Sequence, residues 1–151
     1  MNNMKIPLKY IPRHLTRKDF IKQKRNITNT RKLYNKKIYK NRPKLKSYKN
    51  KKSSHVEKAK KLYKVNNITP SAALAKASKC SQNGLRRITK KGRGAYYSSG
   101  SRPNQTAQSW ARARLASALT GGPACKVDYH ILKDACNPSS KALKMCSRKT
   151  I

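Results

Sequence analysis

A chain of 151 residues has room for one small domain, and its formal charge of +35 comes from 39 Lys and Arg against four acids, Asp19, Glu57, Asp128 and Asp134. So few carboxylates exclude the clustered acids that hold Mg²⁺ in metal-dependent nucleases and nucleotidyl transferases. A 36% apolar share with one Phe and one Trp excludes a large core. A chain this cationic repels itself unless it sits against something acidic: nucleic acid, an anionic membrane surface, or acidic faces of partner proteins.

In chain order, "MNNMKIPLKY" lacks the apolar core of a secretory signal, and no run of about 18 apolar residues follows it, so the expectation is a protein kept inside a cell or packed in a particle assembled there. Residues 1–67 hold 23 of the 39 Lys and Arg and read as a basic arm that cannot by itself bury enough apolar surface to offset its backbone entropy. Short helices are expected along it. "TRKDFIKQKRN" starts at a Thr16 N-cap with Asp19 three residues on, and "SSHVEKAKKLYKV" at Ser54 with Glu57 in the matching place. Val56, Ala59, Lys60 and Tyr63 give the second a thin stripe, enough to lie on a surface. Between them Tyr34, Ile38 and Tyr39 are scattered among lysines, and Pro43 interrupts any helix. His14 and His55 read as solvated.

Residues 68–151 read as a small compact helical domain. Thr69 and Pro70 open "TPSAALAKAS", and Ser81 caps "QNGLRRITKKG", which is expected to stop at Gly92. A Gly/Ser/Tyr loop, 92–105, follows. Thr106 then caps "AQSWARARLASALTGG", with Ala111, Leu115, Ala118 and Leu119 on one face and Gly121 and Gly122 as the stop. Pro123 opens "PACKVDYHILKDAC", where Ala124, Val127 and Ile131 form one row and Tyr129, Leu132 and Cys136 another. A last helix runs from Pro138 to about Met145. No segment alternates at period two, so no sheet is expected. The fold class is therefore mainly α: an extended, lysine-rich N-terminal arm with short helices, then a small compact helical domain.

Chemistry is sparse. Cys80, Cys125, Cys136 and Cys146 lack the paired spacing of a zinc site and read as small apolar residues at helix interfaces; one disulfide is open to them, with Cys125–Cys136 disfavoured by their separation along a helix. His130 beside Tyr129 reads as a helix-surface or interface residue, and Asp128 and Asp134 as surface charges paired with local lysines. The stretch "GRGAYYSSGSRPNQTAQSW" matches neither phosphate-binding glycine motif. Three readings compete for it. Arg93, Arg102 and backbone N–H groups bind phosphate while Tyr96 or Tyr97 stacks on a base; or the tyrosines and Trp110 anchor a protein interface, with Ser98, Ser99, Asn104 and Gln105 completing hydrogen bonds; or the loop folds back and a tyrosine covers the small core. No catalytic residue, metal ligand or cofactor site is assigned. Lysine dominates arginine in the arm, which favours diffuse phosphate neutralisation over reading of base edges.

"KKSSHVEKAKKLYKV", "KKGRGAYYSSGSRPNQTAQSWARARLASALTGG" and "KVDYHILKDAC" together resemble an uncharacterised domain of large double-stranded DNA viruses of the chlorella-virus and mimivirus type. The most specific block is "GAYYSSGSRPNQT…SW…ARLAS". The resemblance carries over no enzymatic activity and implies a structural component of a giant-virus virion, assembled in the host cytoplasm. The expectation that follows is a minor capsid protein on the internal face of the capsid, bridging the major capsid protein and other minor capsid proteins through its arm and helical domain. The alternative is a non-sequence-specific DNA-binding or DNA-condensing virion protein. Viral DNA and the anionic inner membrane are both candidate partners of the arm, a ribosomal-type RNA binder shares its composition, and no small-molecule substrate is expected.

Overall fold

The computed structural model describes residues 6–49 and 53–150, with side chains described as far as 146. Among the described residues the chain is mainly helical, with no strand and one isolated bridge between Cys80 and Cys136. A 3₁₀ turn, Leu8–Tyr10, precedes α1 (Arg17–Asn35), α2 (Ser54–Tyr63), α3 (Ala72–Ser78), α4 (Gln82–Ser98), α5 (Ala107–Leu119), α6 (Pro123–Val127), α7 (Tyr129–Ala135) and α8 (Lys141–Thr150).

Local capping explains most starts. Thr16 Oγ1 accepts from the Asp19 amide at 3.2 Å, as its spacing predicts. At α5, Thr106 and Ser109 cap reciprocally, each amide donating to the other's hydroxyl at 2.9 and 3.0 Å. Elsewhere the cap shifts by a residue or two. Ser53 rather than Ser54 opens α2, accepting from Val56, and Ser71 rather than Thr69 opens α3, accepting from Leu74. The start of α8 slips to Lys141 because Asn137 Oδ1 accepts from the Ser139 amide and the Asn137 carbonyl from Ser140, closing a turn where Pro138 was expected to begin helix.

The expected stop at Gly92 is absent: α4 runs on through Gly92 and Gly94 to Ser98. A Cβ at Gly92 would lie 2.8 Å from the Ala111 Cα, so the glycine serves close helix approach rather than termination. Tyr96, Tyr97 and Ser98 are consequently helical, and the loop shrinks to the turn before α5.

The chain divides into two units, neither continuous in sequence: residues 1–51 with 93–110, and 52–92 with 111–151. This differs from a division at 67/68. The boundaries fall inside α4, after Gly92, and inside α5, after Trp110. In the first unit the supposed arm is one 19-residue helix, α1, followed by an irregular segment, 36–49, that Pro43 keeps out of helix. Its sparse apolar residues do not stand alone. Ile27 and Leu45 are buried, as are Tyr96 and Ala107, which come to the same unit from the far side of the sequence. Gly100, at φ +133°, closes against Ile27 and Tyr10 where a side chain would be strained.

The second unit holds the larger core, built on Ile68, Leu74, Leu85, Ile88, Leu115, Leu119, Ile131 and Leu132. The expected face of α5 is buried as its spacing requires. From α2, Ala59 and Tyr63 enter this core, and the Tyr63 hydroxyl donates to the Leu119 carbonyl; α2 is thus a core helix rather than part of an arm. Burial pushes the Tyr63 hydroxyl's pKa up.

Two readings need correction here. The cysteines are not free apolar residues, for Cys80 pairs with Cys136 and Cys125 with Cys146. Asp128 is not a surface charge. It is fully buried where the chain breaks between α6 and α7, and the break leaves Val127 exposed instead of in its expected row. Arg114 grips Asp128 through Nε and Nη2, both at 2.9 Å, and Lys91 Nζ adds a third contact at 2.9 Å. Asp134 does stay exposed, beside Arg87 at 3.8 Å.

Candidate nucleic-acid interface

The described chemistry of the first unit gathers where the end of α1 and the end of α4 meet the 36–49 segment. Tyr34 lies on the last turn of α1. The chain then turns through Lys37 in the left-handed region, with the Ile38 amide donating to the Leu33 carbonyl at 2.9 Å. That turn presents Ile38 and Tyr39 to solvent at 41% and 57% exposure. From α4, Tyr97 completes a three-ring cluster. Its ring lies nearly parallel to Tyr34, 14° apart with centroids at 6.4 Å, and 5.2 Å from Tyr39. Tyr34 and Tyr39 are 5.8 Å apart.

Beneath this cluster the segment is latched. The Arg42 amide donates to the Tyr96 hydroxyl at 2.7 Å, its guanidinium to the Tyr96 carbonyl at 2.9 Å and to Ser101 Oγ at 2.8 Å, and the guanidinium carbon lies 3.8 Å from the Tyr96 ring centre. Asn41 Oδ1 accepts from the Ala107 amide, and Asn104, at φ +63°, spans the Leu45 amide and carbonyl. Farther along, Asp19 accepts from the amide and hydroxyl of Ser47, and these bonds hold its carboxyl below the usual carboxylate range.

The residues singled out from sequence separate under this geometry. Tyr96 is fully buried, so its ring offers no face to a base at the surface. Asn104 and Gln105 serve the fold, the Gln105 carbonyl accepting from the Tyr96 hydroxyl and its side chain from Ser109. Trp110 packs edge-on against Tyr10 at 5.8 Å. Ser98 is half-buried, and the carbonyl of exposed Ser99 accepts from Arg31 Nε at 2.8 Å. Arg93 and Arg102 are exposed, and of these two it is Arg93 whose charge acts on Tyr97. Burial and then the neighbouring Tyr96 push the Tyr97 hydroxyl's pKa up, with Arg93 and Arg42 opposing. Sequence reasoning missed Tyr34, Tyr39 and Arg42 as site residues. The signal for the first two was present, as aromatics set among lysines.

Electrostatics are one-sided. The first unit's sequence carries 18 Lys and Arg in residues 1–51, with Arg93 and Arg102, against Asp19 alone. The ion pairs of Lys60, Arg87, Lys91 and Arg114 lie in the second unit. Among the described residues no three His, Cys, Asp or Glu side chains gather as metal ligands, and no helix is long and apolar enough to cross a membrane. The thiols that could have joined His130 are held in disulfides.

Fold and surface thus define a class, a mainly helical, strongly basic protein displaying an aromatic cluster amid lysines. Residues 7–135 match a family of unknown function, DUF5824, and the chain belongs to that family. No curated protein and no solved structure matches it.

Proposed function

We propose that the chain is a non-enzymatic structural protein that binds nucleic acid without sequence preference, neutralising phosphate within the particle of a large double-stranded DNA virus. The observation that carries this reading is the first unit's charge, which one internal carboxylate, itself bonded to Ser47, leaves almost wholly uncompensated. Lysines outnumber arginines there, which suits contact with phosphates rather than base edges. Two unrelated duplexes of equal length and base composition, titrated against the oxidised chain by fluorescence anisotropy, are expected to bind within about twofold of each other. A strong preference for one sequence, or no binding at low salt, overturns the reading.

A second reading, the minor capsid protein that cements the major capsid protein and its minor neighbours, is favoured by the two buried disulfides, since such bonds persist in released particles and are rare in reducing cytosol. Under it, partners meet the exposed faces of the folded units, because the 36–49 segment is hydrogen-bonded within its own unit rather than reaching outward as a clamp. Retention of the protein on DNA-free shells supports the capsid role, and recovery solely with the released genome contradicts it. Binding to vesicles of anionic lipid but to no nucleic acid would assign the same cations to the inner membrane.

A further inference from the structure

We infer that the Tyr34–Tyr39–Tyr97 cluster stacks on unpaired bases, so that the protein takes single-stranded nucleic acid in preference to duplex; this rests on the nucleic-acid reading above. Packing alone accounts for part of the cluster. Tyr34 and Tyr97 are half-buried and nearly parallel, as rings that join two helix ends would be. It accounts for only one side of Tyr39, which meets Tyr34 and Tyr97. The residue is nonetheless more than half exposed, next to an exposed Ile38, on a segment fixed by the Lys37 turn on one side and the Arg42 latch on the other. Holding a large apolar surface rigidly in water has no folding benefit, and a pre-formed aromatic face loses little freedom when a ligand covers it.

The surroundings select the ligand. Lys36, Lys37 and Lys40 flank the ring and are exposed, Arg93 acts on its neighbour Tyr97, and residues 31–49 contain no acid. Such a field repels a basic partner and attracts a polyanion. Among polyanions, a duplex keeps the faces of its bases inside the stack and offers only edges in its grooves. An unpaired strand offers a π-face with each nucleotide and a phosphate beside it, which is the pairing of aromatic platform and cationic track that this surface provides.

The test uses the full-length oxidised chain and two fluorescein-labelled probes, an oligothymidylate of about 20 nucleotides and a blunt duplex of the same length, at about 0.1 M salt. Tighter binding of the single strand is expected. Tyr39→Ala is expected to weaken it about tenfold, with the duplex changed less than about twofold and Tyr39→Phe close to the parent. Because Tyr39 is exposed, its thermal unfolding by circular dichroism is expected to match the parent's. Equal affinity for both probes, or a Tyr39→Ala loss that is absent or the same for both, overturns the inference while leaving the nucleic-acid reading standing. Failure to bind either probe overturns that reading as well.

Discussion

Tyr96 latches the 36–49 segment and Asp128 holds a buried ion-pair cluster, and neither role was legible locally. Tyr96 stood in a serine- and glycine-rich stretch as one of two adjacent tyrosines; nothing in that window says which ring is buried, because its partner, Arg42, lies 54 positions away. The Tyr96→Phe variant leaves the buried Arg42 amide without its acceptor. A cost of about 1–2 kcal/mol is expected in urea unfolding, and no change would contradict the latch. For Asp128, burial pushes the carboxyl up, but Arg114 first and then Lys91 outweigh it and hold the pKa below its ordinary value of 3.8. A carboxylate depressed by folding stabilises fully above its unfolded value and loses that contribution as pH falls through the folded one. Stability is therefore expected to decline only below about pH 4, with the Asp128→Asn chain losing that acid-dependent limb. At neutral pH the same substitution strands Arg114 and Lys91 and is expected to cost about 3 kcal/mol.

Elements were legible where their signals are local. Thr16 and Thr106 cap as read, since a cap needs only a hydroxyl and an amide three residues on. Gly92 misled for the complementary reason. A glycine after a basic run resembles a helix stop, and only Ala111, brought in by the fold, reveals that α4 needs a missing side chain there. Alanine ordinarily favours a helix interior over glycine by about 1 kcal/mol. Gly92→Ala is nonetheless expected to lower the melting temperature, because its Cβ would meet backbone rather than a movable side-chain end. A raised melting temperature would show that the close approach does not govern this helix. The cysteines were illegible in another way, since four allow three complete pairings and spacing does not choose among them. The observed bonds close sequence separations of 56 and 21 residues. Reduction is expected to remove about 3–4 kcal/mol for each, read as a shift in the urea midpoint with and without reductant, and an unshifted midpoint would contradict a stapling role.

At the scale of the whole molecule, helical class and charge were both legible from composition and periodicity, while the partition was not. Charge density suggested a break near residue 67, yet charge says nothing of which apolar residues meet. Ala59 and Tyr63 belong to a core completed by Leu115 and Leu119, while Ile27, Leu45 and Tyr96 are buried in the other unit. Such long-range completion is what a reading in local windows lacks, and it also turned an expected clamp into a folded, latched surface. The excess of cations is unchanged by that correction. The most direct measurement is the affinity of the oxidised chain for a duplex of arbitrary sequence across a series of salt concentrations. If uncompensated lysines neutralise phosphates, log K falls linearly with log salt at about 0.9 per phosphate, and a slope of about −4 or steeper is expected. Absent binding, or an affinity that salt leaves unchanged, would contradict the claim that this charge exists to meet nucleic acid.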